Sequence, residues 1–280
     1  MRRPAEYNRG VTDSDPRNAT LLERHDLSEA LSIVRVRPDS GHVPDFTPGQ
    51  FITLGLPKAV SAEAAAVRRR RPGQVAMTRR AYSIASSPTQ TEYLELFVVL
   101  IESGRLTPRL WDLDVGDRLW MDSHVKGEFT LDPVPAGKDL VMISTGTGIA
   151  PFVSMLRTYR DAGRWRRLVL VNGVRRAGDL GFRGELEATA REDPTVCYVP
   201  IVSRPAEDES WTGLRGRVGV LLDEGMCERH AGVALDPETC HVLLCGNPDM
   251  IEDMEARLQQ RGFRTHSAAA PGQIHFERYW

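Results

Sequence analysis

Three short stretches carry residue types whose spacing suits chemistry. Arg80, Ala81, Tyr82 and Ser83, continued by Ile84-Ala85-Ser86-Ser87-Pro88, join a cation, an aromatic face and small hydroxyls at what reads as one strand end. A guanidinium forks onto a phosphate, a tyrosine ring stacks on a flat heterocycle, and its hydroxyl bonds a ribose or ribityl group. The second stretch, Val141 to Pro151, runs from an apolar strand into a turn of Thr145, Gly146, Thr147 and Gly148, then into a helix from Phe152 to Tyr159. Such a turn aims unpaired N–H groups and the positive end of a helix at one point, and its glycines let a phosphate approach. The third is Cys245-Gly246-Asn247-Pro248-Asp249-Met250. With no His or Lys motif beside it, Cys245 has nothing to make it a nucleophile.

The elements that must hold these stretches differ between the two halves of the chain. From Ala19 to about Leu131, alternating segments such as Ser32–Val36, Gln50–Leu54, Tyr93–Leu100 and Asp117–Met121 are separated by turns rich in Pro and Gly. Many short strands of this kind predict a small antiparallel β-barrel. One helical piece interrupts them, with Thr107 as a candidate cap followed by Leu110, Leu113 and Val115. Asp132 to Lys138 is rich in Pro and Gly and marks a boundary. Beyond it, apolar runs at Leu140–Ser144, Arg167–Asn172, Val196–Val202 and His241–Cys245 alternate with helices after Gly148, around Gly184–Arg191 and Val218–Glu224, and from Pro248 to Arg261. That alternation predicts a doubly wound parallel sheet. The expected division is a flexible lead-in over 1–18, a barrel domain over 19–135 and an α/β domain over 136–280.

Composition narrows the classes. A chain of 280 residues with 41% hydrophobic content can build two cores, and a net charge of -2 gives no reason to expect nucleic acid. No run of about 18 apolar residues is present to span a membrane, and the basic start lacks the apolar stretch of a secretory signal. A cytoplasmic protein is expected. Cys197, Cys227, Cys240 and Cys245 lack the spacing of a zinc site or an iron–sulfur cluster, so no metal is expected. Between Pro57 and Arg79 lies a long segment with four consecutive arginines, Arg68, Arg69, Arg70 and Arg71. It reads either as a solvated excursion or as a docking surface for an acidic partner.

Taken together and in order, these motifs make the chain resemble the ferredoxin–NADP reductases, two-domain flavoproteins whose first domain holds FAD through an R-x-Y-S motif. The resemblance runs from about Ala19 to Trp280. It implies that Arg80, Ala81, Tyr82 and Ser83 contact FAD, as do Gly104, Leu106 and Thr107, which match a G-x-[LV]-[ST] segment at the FAD pyrophosphate. It implies equally that Thr145, Gly146, Thr147 and Gly148 form the NADP pyrophosphate turn. Cys245, Gly246 and Met250 would border the nicotinamide, with Tyr82, Ser83 and Cys245 around the reacting atoms. The ending His275-Phe276-Glu277-Arg278-Tyr279-Trp280 looks like that of a bacterial subgroup, in which Tyr279 or Trp280 covers the flavin or its adenine. Ser203 and Arg204 stand where the family binds the 2′-phosphate, with Arg175 and Arg215 or Arg217 as further candidates, which favours NADP(H). Glu277 is a candidate for a proton path. The implied partner is ferredoxin or flavodoxin. The alternatives are a reductase component of an oxygenase, a diaphorase, or a non-catalytic flavin-binding sensor, although a sensor has no use for a nicotinamide site.

Overall fold

The computed structural model describes residues 15–58, 76–205 and 211–278. Its first half is an antiparallel sheet of β1 (Ala19–Ser28), β2 (Leu31–Pro38), β3 (Phe51–Pro57), β4 (Met77–Ser83), β5 (Leu94–Val99) and β6 (Arg118–Met121). They lie in the order β4-β3-β6-β1-β2-β5. The two ends of that order meet. Ile84 bridges Leu96, and the Ala85 N–H donates to the Glu95 carbonyl at 2.8 Å, so the sheet closes into a barrel. Closure removes the unpaired edges that would otherwise invite association. Alternation sends Ile52, Leu54, Leu56, Leu96, Val98, Leu119 and Met121 into one buried cluster.

Helix α1 (Thr107–Trp111) covers this barrel, with Leu110, Trp111 and Leu113 packed on the same cluster. Its start differs from the sequence expectation. Leu106, not Thr107, holds the N-cap position because its side chain is buried in the barrel core. Thr107 instead closes the preceding turn, its hydroxyl lying 3.0 Å from both the N–H and the carbonyl of Ile101. Gly104 completes that turn, since a Cβ there would sit 2.8 Å from the Ile101 oxygen.

In the second half a parallel sheet comprises β7 (Asp139–Thr145), β8 (Arg167–Val174), β9 (Val196–Val202), β10 (Leu214–Arg215), β11 (Cys240–Gly246) and β12 (Ile274–Arg278). The order is β10-β9-β8-β7-β11-β12. Helices α2 (Ala150–Tyr159), α3 (Arg183–Glu192), α4 (Met226–Ala231) and α5 (Pro248–Gln259) connect the strands. The central strands β7 and β11 are buried on both faces, which is why they read as continuous apolar runs. The chain winds outward from β7 to β10 and then returns to β11 on the other side, so the topological switch lies between β7 and β11. A crevice opens at the carboxyl ends of such a pair.

Two elements depart from expectation. Val218–Leu222 is a 3₁₀ turn, and α4 follows only after Gly225, whose φ of 67° breaks the run. The segment Ile274–Arg278, expected only as part of a terminal tail, is a sixth strand paired with β11.

One apolar cluster joins the halves, with Ala85, Phe97, Phe129 and Leu131 from the barrel side and Phe152, Met155, Leu243 and Cys245 from the sheet side. Val134, in the connecting segment, is buried there, and its carbonyl accepts from Arg164 Nη2 at 2.6 Å. No helix among the described residues is long and apolar enough to cross a membrane.

Candidate functional site

The turn after β7 is interlocked with the end of β11. Gly146 has φ 53°, a left-handed conformation that favours glycine, and a Cβ there would meet nothing within 4 Å. Gly148 is the opposite case, because its Cβ would lie 2.8 Å from the Cys245 carbonyl carbon and closer still to the oxygen. Gly246, at φ 135°, would bring a Cβ to 3.0 Å from the Thr145 nitrogen and oxygen. Gly148 and Gly246 thus let two backbones touch. Thr145 Oγ1 accepts from the Asn247 N–H at 3.0 Å, and Asn247 in turn caps α5 by accepting from the Met250 N–H at 3.2 Å. The Thr147 carbonyl accepts from the Ala150 N–H at the entrance to α2. The site residues expected from Thr145 to Gly148 and from Cys245 to Met250 therefore stand together at the switch point, with open space over Gly146 for an anion.

Across the crevice stands the end of β4. The β11–β12 register sets Glu277 beside Cys245, and the Ser83 hydroxyl donates to Glu277 Oε2 at 3.2 Å. Serine, carboxyl and cysteine so come from three strands of two sheets. Burial pushes the Glu277 carboxyl up to about 7, the Ser83 hydrogen bond offsetting part of the rise. Such a group exchanges a proton near neutral pH. Cys245 is wholly buried. Tyr82 places its hydroxyl in the interior with no hydrogen-bond partner, and burial holds the phenol well above its ordinary pKa. An orphaned buried hydroxyl asks for a polar ligand atom. Arg80 and Ala81, on the same strand, are exposed, and Arg80 Nη1 rests on the Arg79 carbonyl at 2.8 Å.

A cationic rim lines the ends of β8, β9 and β10. Arg175, Ser203, Arg204 and Arg215 are all exposed there, as is Arg217. The Arg204 N–H donates to the Arg175 carbonyl at 2.8 Å, the Ser203 hydroxyl to Val174 at 3.1 Å, and Arg215 Nη2 to Trp211 at 3.2 Å. Backbone pairing thus brings Arg175 and Arg204 side by side with their guanidinium groups toward solvent. Tyr279, Trp280 and Arg68 to Arg71 lie outside the described residues.

Glu277 is the site residue that sequence reasoning underweighted. Its placement depends on β12 adding to the sheet in one register, and the signal available was its same-face spacing from His275. His275 is itself buried, 3.2 Å from His241 Nδ1 and stacked with His266 at 4.6 Å between centroids. Burial above all, with repulsion from Lys138 and His266, lowers His241 to about 4; burial, with His266 and His241, lowers His275 to about 3. In the unfolded chain both bind protons below about 6.5, so the folded state binds fewer and loses stability as pH falls from about 6.5 toward 4. With the opposing Glu277 carboxyl removed by Glu277→Gln, urea unfolding is expected to show a stability at pH 5 about 1–3 kcal/mol below that at pH 7.5. His275→Gln should remove much of that slope; an unchanged slope would assign it to other groups.

Residues 142–256 match a family model described as the oxidoreductase NAD-binding domain. The flavodoxin/ferredoxin–NADP reductase of Escherichia coli (strain K12) is 35% identical over 243 residues, covering 85% of this chain and 90% of its own. The ferredoxin–NADP reductase of Pseudomonas aeruginosa is 30% identical over 244 residues, covering 83% and 86%. The crystal structure of a ferredoxin NADP+ reductase from Neisseria gonorrhoeae with bound FAD and NADP superimposes with a TM-score of 0.79 at 29% identity, covering 94% of this chain and 98% of that one.

Proposed function

Because this chain belongs to the flavodoxin/ferredoxin–NADP reductase family, we propose that Tyr82, Ser83, Cys245 and Glu277 surround its reacting centre. The activity is that of the family: hydride exchange between NADPH and FAD, coupled to one-electron exchange with ferredoxin or flavodoxin. The observation that carries the site assignment is the hydrogen bond from Ser83 to Glu277, a carboxyl that the β11–β12 register sets beside Cys245.

The residues present fit both nucleotides. Tyr82 offers FAD a ring and an unsatisfied hydroxyl, Arg80 an exposed guanidinium for its pyrophosphate, and Gly104, Leu106 and Thr107 a tight turn into a helix without a side-chain cap. Ala81 leaves the strand surface without bulk. When bound, FAD takes up electrons as a hydride pair and releases them singly. The chain supplies orientation and proton handling. Thr145 to Gly148 anchor the NADP(H) pyrophosphate, Gly246 and Met250 shape the approach, and Cys245 closes the floor under the nicotinamide. Ser83 and Glu277 hold and move a proton at the crevice. Ser203, Arg204, Arg175 and Arg215 take the 2′-phosphate. Tyr279 and Trp280 belong by resemblance to the FAD cover. The domain division at 18/19 and 135/136 remains our reading, as do a cytoplasmic location and docking of the acidic carrier near Arg68 to Arg71.

Two measurements test this. Purified protein should carry a yellow flavin that NADPH bleaches under anaerobic conditions; a flavin that stays oxidised overturns the assignment. Arg204→Ala should raise the KM for NADPH about tenfold or more while leaving that for NADH within about twofold, as loss of one charge-assisted contact implies. Equal changes for both would remove Arg204 from the 2′-phosphate site.

A further inference from the structure

We propose that α2 is a positioning strut, in which Ser154, Arg157 and Thr158 fix the distance between the nucleotide turn and the Tyr82–Ser83 strand end. The proposal rests on the functional reading above and goes beyond it, because none of these three residues lies in the motifs that carry that reading. They fall at i, i+3 and i+4, on one face of the helix that the turn itself leads into. That face is bolted to three consecutive barrel residues. Ser154 Oγ donates to the Ser86 carbonyl at 2.7 Å, Arg157 Nη1 to the Ala85 carbonyl at 2.9 Å, and the hydroxyls of Thr158 and Ser87 lie 3.0 Å apart.

Arg157 is the centre of the joint. Besides Ala85, its Nη1 reaches Glu95 Oε1 at 2.7 Å, while Nε and Nη2 fork onto Glu185 at 2.7 Å each. One guanidinium therefore ties α2 to α3, to β5 and to the segment that follows β4. Glu95 is buried and also accepts from Arg35 Nε at 2.9 Å. Burying such charges is an inefficient way to gain stability, and a fixed register is what a fully paired network supplies in return. Phe182 supports this reading. It is the one non-glycine residue among those described with positive φ, at 61°, and from that conformation its ring meets Phe97 of the barrel edge-on at 5.7 Å and lies 5.3 Å from the Arg157 guanidinium. Backbone strain of that kind persists where packing dictates one position.

The Ala85 N–H already donates to Glu95 in the bond that closes the barrel. A shift of α2 thus pulls on the seam from which Ser83 projects, and at its other end displaces the turn that would hold the pyrophosphate. An apolar contact would slide; these hydrogen bonds to named carbonyls do not. The strut acts on alignment, so its loss should impair transfer more than binding.

The test uses the FAD-loaded protein and the variants Arg157→Met, Thr158→Val and Thr158→Ser. In Arg157→Met the limiting rate of flavin reduction by NADPH should fall at least tenfold and the long-wavelength charge-transfer absorbance of the NADPH complex should weaken. Affinity for adenosine 2′,5′-bisphosphate, which lacks the nicotinamide, should stay within twofold. Amide hydrogen exchange over residues 84–87 should quicken at least tenfold. Thr158→Val should lower the rate severalfold and Thr158→Ser should restore it, which keeps the test decisive if Arg157→Met fails to fold. An unchanged rate, an affinity that falls in parallel with the rate, or unchanged exchange over 84–87 would overturn the strut. If wild-type flavin is not reduced by NADPH at all, the functional reading fails instead, and hydrogen exchange still reports on the joint.

Discussion

Gly148→Ala is expected to cut NADPH-dependent turnover by about 10²-fold or more while leaving FAD bound. The added methyl would overlap the Cys245 carbonyl and lie 3.1 Å from the Gly246 Cα, and both are backbone atoms of a strand buried on both faces. Neither neighbour can rotate away, so either the turn lifts off β11 or the end of β11 shifts. Overpacking of this kind costs about 1–3 kcal/mol. That loss falls where the pyrophosphate turn, Cys245 and, through β12, Glu277 are aligned. A misplacement of about 1 Å at a reacting centre costs on the order of 10²-fold, and a fall of 10² or more in kcat/KM for NADPH is expected. Reduction of the same flavin by dithionite should be unaffected, because the barrel is untouched. Gly146→Ala is the comparison: its Cβ meets no protein atom, and the left-handed backbone costs about 1–2 kcal/mol. Thermal unfolding and anaerobic stopped-flow reduction of both variants measure the contrast. Equal effects would mean that the close approach of turn and strand is unimportant.

Glu277→Gln should slow turnover with a one-electron acceptor by about 10²-fold and flatten its pH profile, because a positioned acid–base group is removed. The wild-type carboxyl, lifted to about 7 by burial, is neutral at pH 6 and ionised at pH 8. At the lower pH it can donate, at the higher it can accept through Ser83, and turnover should change between the two. The stability consequence has the opposite sign. A folded pKa raised above the model value of 4.5 means that the native state holds its proton longer than the unfolded chain. The stabilisation it brings is full below about 4.5 and is lost as pH rises through about 7. At pH 8.5 the glutamine variant should therefore be more stable than wild type, by on the order of 2 kcal/mol, while far less active. A pH profile that survives the substitution would move the proton to another group.

What the sequence disclosed and what it withheld divide along physical lines. The R-x-Y-S strand end, the Gly146–Gly148 turn and the Cys245–Met250 corner are local: each is a few residues whose backbone conformation depends on their own glycines and hydroxyls. The alternation of apolar and helical runs was equally local, and the barrel and the parallel sheet follow from it. Glu277 acquires its role only through the register of β12 on β11 and contact with a serine 194 positions away. Arg157 reads in sequence as one more charge on an amphipathic helix, and only the docking of α2 on Ala85–Ser87 shows what it holds. Thr107 reads in sequence as a candidate cap, but burial of Leu106 takes precedence over hydroxyl preference. Non-local pairing and burial are the terms that a one-dimensional pattern carries least.

The seam of the barrel, where Ile84 meets Leu96 and Ala85 meets Glu95, bears on how such proteins can be rebuilt. The residues that shut the first half are also the ones that grip the second, so the two halves are not interchangeable modules. A chimaera that joins this barrel to a relative's nucleotide-binding half at residue 135 would break Ser154–Ser86, Arg157–Ala85 and Thr158–Ser87 together unless α2 came with matching donors. Exchange should succeed when the face of α2 and residues 85–87 are transplanted as a set, and unfolding of the native chain should proceed as one cooperative transition.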